Sequence, residues 1–160
     1  MTLTVPGAQG RLAARLDAWS PRPVRSSAGR WAAAAWTAPL TVVGALLAQA
    51  GGAACRWDDR LGCYVATGVG GPSGWLLGRL RLDANAVGQV VLCRSVHPSA
   101  RLLAHEAVHV RQAERLGALL LPVYVGMTAR YGYRENPLER AARREAVTVG
   151  SRPGTVRARP

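Results

Sequence analysis

A chain of 160 residues is long enough for one ordinary domain and not comfortably for two. Its formal net charge is +12, because 21 basic residues, every one an arginine, face only nine acidic ones. A field of that sign favours anionic surfaces such as lipid headgroups or nucleic acid, although an arginine- and alanine-rich genome produces the same bias. The arginines are spread rather than gathered in one stripe and no Arg/Gly/aromatic module is present, which argues against nucleic acid as the partner. Three cysteines, Cys55, Cys63 and Cys93, are too few for a disulfide framework and contain no C-x-x-C pair. They read as small buried apolar residues. Cys55 and Cys63 also flank the turn "RWDDRLG", so an oxidising compartment would let them approach one another.

Residues 1–30 carry scattered arginines and three prolines, the composition of a basic flexible arm with one short helical turn around "GRLAARLDAW". Residues 31–52 then form an apolar helix with no charge between Arg30 and Arg56, long enough to cross a hydrocarbon core. Three readings of it compete. As a membrane span, the excess of arginine before it places the N-terminus in the cytoplasm, which would make this a bacterial inner-membrane protein. As a signal sequence, "AQA" at 48–50 supplies a small-residue cleavage site in a secreted protein. As a core helix, it belongs to a soluble domain.

From residue 53 the grammar changes. "ACRW", "GCYVAT", "GWLLGRLRL" and "GQVVLCRS" are short apolar or alternating runs separated by Gly- and Asp-rich turns, which predicts a small antiparallel meander. The glycines at 68–74 lack the lysine of a phosphate-binding loop and read as a turn. Helical periodicity starts at "HPSARLLAHEAVHVRQAERLG", with Pro98 in the first turn, Ser99 or His97 as cap and Gly117 as stop. "ALLLPVYVGMTA", residues 118–129, is a second uncharged run, too short to span a bilayer: a core helix or an apolar surface against one. "ENPLERAARREAV" opens a last helix with Asn136 as cap and Pro137 in first position, and the tail 150–160 reads as a disordered basic segment. The expected class is α+β, with a zincin-like domain over 53–149.

The chemistry lies in "HEAVH". Residues four apart share one helix face, so His105 and His109 can both aim an imidazole nitrogen at one zinc ion without distorting the backbone. Leu103, Ala107 and Val110 give the same helix an apolar face. Glu106 lies about 100° further round. It is placed as a general base for a water activated at the metal rather than as a third equivalent ligand. A catalytic zinc needs a third protein ligand and an open position. His97 is too near the motif and reads as capping or exposed. Among Glu135, Glu139 and Glu145, only Glu139 sits in the first turn of a new helix, where it can serve as ligand or bond back to the cap. Gln112, one turn beyond His109, can orient a histidine, touch substrate or simply be exposed. Arg111, Glu114 and Arg115 read as a solvated face.

"HEAVHVRQAERLG…NPLERAA" resembles the gluzincin class of zinc metallopeptidases, and more narrowly small bacterial H-E-x-x-H-V-x-Q proteins with a downstream N-P-x-E-x-x-A. It is also similar, more loosely, to membrane metallopeptidases whose second helix carries E-x-x-A-D. The resemblance covers residues 102–142. It implies zinc ligation by His105, His109 and Glu139, Glu106 as catalytic base, and a peptide or protein substrate at a membrane. Arg143 stands where E-x-x-A-D has its aspartate, which removes a support for a histidine ligand. Gln112 and Arg115 occupy the metzincin glycine and third-histidine positions and exclude that class. Tyr131 and Tyr133 are available as transition-state donors. Against the hydrolase stand three other readings: a metal-binding protein with little catalysis, a basic module docking on anionic membrane or nucleic acid whose histidines are incidental, and an interaction protein that binds partners through the apolar patch at 118–129.

Overall fold

The structure, a computed structural model, describes residues 11–24 and 26–150. The parts of the basic arm before Arg11 and of the tail after Gly150 lie outside the described residues. The class is α+β: one four-stranded sheet with helices on both faces, preceded by a long apolar helix.

The short helix expected in "GRLAARLDAW" is α1, Arg11–Asp17. Asp17 at its end accepts ion pairs from Arg140 (2.9 Å) and Arg144 (3.1 Å), so this part of the basic segment is fastened to the C-terminal helix. Helix α2, Ser27–Ala50, begins at Ser26, whose hydroxyl accepts the Gly29 N–H, and is long and apolar enough to cross a membrane. Yet it is docked. Ala33, Thr37, Gly44 and Ala48 form a buried stripe of small side chains along its whole length, while Trp31, Trp36, Val42, Val43 and Leu46 face outward.

Strands β1 (Arg56–Asp58) and β2 (Cys63–Ala66) form a hairpin across the expected Asp-rich turn, where the Asp58 carboxylate accepts the Arg60 and Leu61 N–H groups. The expected third strand is overturned. "GWLLGRLRL" begins inside helix α3, Gly71–Arg79, with Pro72 in its first turn and Ser73 and Leu77, four apart, facing the core. The consecutive run Trp75-Leu76-Leu77 imitates a buried strand, but only Leu77 is buried. Strands β3 (Ala84–Val87) and β4 (Val90–Cys93) close the sheet in the order β1-β2-β4-β3. The meander is therefore corrected as well. β2 and β4 run parallel, a pairing that requires a crossover between them, and α3 lies within that connection.

Strand alternation divides the core. Val90 and Leu92 pack with Ala48, Ala66, Val69 and Leu77 on one face. Val91 and Cys93 pack with Cys63, Ala84 and Val110 on the other. All three cysteines are free thiols, so no bond joins Cys55 to Cys63. Burial pushes Cys63 up to about 12 and Cys93 up to about 11. The β3–β4 turn is set by Gly88, at φ +61°, where a Cβ would lie 2.4 Å from the Thr41 nitrogen of α2. The Gln89 N–H beside it donates to Thr41 Oγ1 (3.1 Å), which fixes the sheet edge against α2.

A candidate metal centre between two helices

Helix α4, Ala100–Leu116, covers the second sheet face. Ser99 caps it by accepting the Leu102 N–H (3.2 Å), and Pro98 precedes the cap instead of entering the first turn. His97 is exposed and takes no part in the site. Gly117 ends α4 at φ +55°, with the Trp36 indole so close that a Cβ would lie 2.3 Å from its Nε1. A 3₁₀ turn, Gly117–Leu119, leads into α5, Leu120–Tyr131, which has no buried residue.

Helix α6, Pro137–Gly150, packs on α4, and its start is pinned by the buried Asn136. The Asn136 side-chain oxygen accepts the Leu138 N–H (3.0 Å), while its amide donates to Tyr124 O (3.2 Å) and Thr128 Oγ1 (2.8 Å). One residue therefore caps α6 and joins it to α5.

That pin turns Glu139 inward. Its carboxylate, 4% exposed, lies 3.4 Å from His105 Nε2 and 3.2 Å from His109 Nε2, and the two Nε2 atoms are 3.3 Å apart. Tyr124 donates its hydroxyl to Glu139 Oε1 (2.7 Å), while Oε2 is buried without a hydrogen-bond partner. The alternative of a bond back to the cap is thus not what this side chain does. Glu135 and Glu145 stay outside: Glu135 pairs with Arg140, and Glu145 with Arg111.

Two imidazole nitrogens and a buried carboxylate oxygen without a hydrogen-bond partner face one another, a donor set that suits a cation. The three donor atoms lie within 4.8 Å of one another, so His105, His109 and Glu139 can hold one metal ion. Gln112, fully buried, supplies the support that Arg143 withholds. Its Oε1 is 2.9 Å from His109 Nδ1, and its amide donates to Leu138 O (3.4 Å). Read as N–H donation from Nδ1, the contact leaves the Nε2 lone pair free for a metal. Arg143 sits beside the site, 3.9 Å from Glu139 Oε2, as a cation in the place of an expected anion.

The electrostatics follow from burial and mutual contact. Burial alone pushes Glu139 up, but the two imidazoles and the Tyr124 hydroxyl outweigh it and hold the carboxyl well below the ordinary range. Burial pushes the His109 imidazolium down, and the neighbouring carboxylates of Glu139 and Glu106 more than restore it, leaving it above the usual value. Glu106 is raised, chiefly by desolvation, with the histidines and the Ala86 N–H of β3 opposing. A raised carboxyl next to a cation site is suited to accepting a proton.

The chain matches no family model, no curated protein and no solved structure. The site therefore stands on its own geometry. Two clefts reach it. One, about 350 Å³, runs from His109, Glu106 and Glu139 between α2, β3 and α5 past Leu40, Val87 and Leu121. The other, about 410 Å³, opens beside His105 and Glu106 among Arg81, Arg101 and Arg143.

Tyr133 lines both clefts, whereas Tyr131 accepts from Arg130 and lies outside them. Tyr124 was not legible as a site residue, because its place depends on how α5 folds over α6. Of the expected solvated face, only Arg115 is exposed. Glu114 accepts from Gln89 (3.1 Å), and Arg111 is held against Glu145 (3.8 Å), because α4 is covered there by the β3–β4 turn and by α6.

Proposed function

We propose that this chain is a small zinc-dependent hydrolase of gluzincin type, acting as a peptidase. The observation that carries the reading is the buried Glu139 carboxylate, brought from a separate helix to within 3.4 Å of both motif histidines. Two imidazoles and one carboxylate with an open side suit zinc better than the all-oxygen shells of calcium or magnesium. Zinc bound there supplies a Lewis acid that polarises a carbonyl and acidifies a water. The chain's own residues do the rest. His105, His109 and Glu139 would hold the ion, with Gln112 orienting His109. Glu106, buried and raised, takes a proton from the attacking water and returns it to the leaving amine. Tyr133, at the mouth of both clefts, is the hydroxyl available to the developing oxyanion.

Support for a peptide substrate comes from β3. It is one of the two edge strands of the sheet and lies against α4 beside Glu106, so an extended peptide can add to it by main-chain hydrogen bonds. The apolar cleft next to that edge suits a bulky apolar side chain. Association with a bilayer, of the bacterial inner-membrane kind, belongs to the same proposal and rests on the apolar α2 and residues 118–129.

The test is metal content of the purified chain beside His109→Ala and Glu139→Ala variants, followed by a peptide screen with Glu106→Gln. About one zinc per chain, lost in both variants, together with hydrolysis abolished in Glu106→Gln, supports the enzyme. Zinc binding without hydrolysis in any screen leaves the metal-binding reading, which the cation at Arg143 favours. A folded chain that takes up no zinc refutes both.

A further inference from the structure

We infer that α2 and α5 form one face that docks on an anionic lipid bilayer, with α2 lying in the plane of the interface and not crossing it. The inference refines the bilayer part of the reading above and does not depend on zinc. It starts from two helices that are wrong for water. α5 contains no buried residue, yet exposes Leu121 and Val125. α2 exposes Trp31, Trp36, Val42, Val43 and Leu46, with Trp31 at 77% and Leu46 at 59%. The two helices adjoin: Trp36 covers Gly117 at the entrance to α5, and Leu40 shares the metal cleft with Leu120 and Leu121. A contiguous apolar surface of this kind on a soluble chain marks a partner.

Charge identifies that partner as anionic lipid. No acidic residue occurs between Arg30 and Asp58, nor between Glu114 and Glu135, so neither helix presents a negative charge. Arg30 and Arg130 bound the two apolar stretches, and neither has an ion-pair partner among the described residues. Exposed tryptophans beside arginines are the residues that settle at the headgroup level.

The docking of α2 decides its orientation. Its small-residue stripe is seated on the sheet so closely that a Cβ on Gly44 would lie 2.9 Å from Val90. Beside Trp31 and Ala34 in the same cleft stand Asp59, Arg60, Arg111 and Glu114. If α2 crossed the bilayer while docked, these ionisable groups would enter the hydrocarbon, where a charge is strongly disfavoured. If α2 undocked to cross alone, Val90 and Leu92 would lose their cover. Lying in the interface, the helix keeps its inner face on the sheet and gives its outer face to lipid.

The experiment is co-sedimentation of the full chain with phosphatidylcholine vesicles, with and without phosphatidylglycerol, followed by alkaline carbonate extraction. Leu46→Glu and Val125→Glu are tested alongside; both positions are exposed and outside the metal cleft. Binding should be at least about tenfold tighter with the anionic lipid. Each glutamate should weaken it at least about tenfold, and carbonate should release the chain. In metal-free buffer with chelator, His109→Ala should bind vesicles as the parent does, so loss of the zinc site and loss of docking are read separately. Carbonate-resistant insertion would overturn the in-plane arrangement. Binding indifferent to both glutamates would assign it to the arginines alone. A lipid-free dimer broken by the glutamates, with vesicle binding unchanged, would give the face to a second copy.

Discussion

Gln112 holds the orientation of His109, and its effect on the metal can be separated from its effect on the fold. Replacing it by methionine keeps the volume and removes both the Nδ1 partner and the bond to Leu138 O. Loss of such a support costs about 10–100-fold in metal affinity. Competition with a chromophoric chelator should find that range in Gln112→Met, while Gln112→Glu, which keeps an acceptor at Nδ1, should retain most of the affinity. Equal losses in the two would assign the effect to the bond to Leu138 O, which both variants lose. The same residue scale fixes the pH behaviour of the metal-free chain. His109 is raised in the fold, so its contribution is complete below the unfolded value of about 6.5 and is lost as pH rises through the higher folded value. Glu139 is depressed, so its contribution is present above the unfolded value of about 4.3 and is lost as pH falls toward its low folded value. The His109–Glu139 pair therefore stabilises the metal-free chain most between about pH 4.3 and 6.5, while the raised Glu106 opposes it there. Zinc must displace the His109 proton and so binds better as pH rises. Thermal melts at pH 5.5 and 8 should show the gain in Tm from zinc larger at pH 8; a larger gain at pH 5.5 would contradict the assignment.

Among the elements, those with their own grammar were legible and those defined by their neighbours were not. The HEAVH helix was readable because histidines at i and i+4 share a face whatever surrounds them, and Glu139 because Asn136 and Pro137 mark a helix start three residues before it. Tyr124 carries no such mark: it is the Asn136 side chain, reaching back to Tyr124 O and Thr128 Oγ1, that ties α5 to the start of α6. Helix α3 was hidden by the run Trp75-Leu76-Leu77, because three adjacent apolar residues fit a buried strand and a poorly amphipathic helix equally well. The parallel pairing of β2 and β4 was out of reach, since nothing local to either strand encodes it. Gly88 joins these levels. It permits the positive φ of the β3–β4 turn and also the approach of that turn to α2. Gly88→Ala should cost about 2 kcal/mol or more, from left-handed strain together with overpacking against Thr41. A urea midpoint shift of that size checks it. Gly52 has the same sign of φ but nothing within 4 Å of a Cβ, so Gly52→Ala should cost only about 1 kcal/mol.

At the scale of the molecule, α5 connects the metal to the apolar face. A 12-residue helix with no buried residue has little to hold it in water, where isolated helices of this length are marginal. Its ties are polar: Asn136 to Tyr124 O and Thr128 Oγ1, and the Tyr124 hydroxyl to the Glu139 carboxylate. Opening α5 withdraws Tyr124 from a metal ligand, and ordering α5 returns it. Whatever orders α5 should therefore favour the metal-competent arrangement, and a metal that fixes Glu139 should favour ordered α5. This coupling is reciprocal by thermodynamic necessity. In water, backbone amides of 120–131 should exchange at least about tenfold faster than those at the centre of α4, because α5 has only half-buried side chains to hold it whereas α4 has fully buried ones. Zinc should slow them, anionic vesicles should slow them further, and vesicles should tighten zinc binding by the factor that zinc tightens vesicle binding. Tyr124→Phe keeps the ring and removes the tie to Glu139. In that variant vesicles should still protect α5 while zinc no longer does. Amides of α5 exchanging as slowly as those of α4 in lipid-free, metal-free protein would mean that the helix is held by its polar ties alone, and the coupling would vanish.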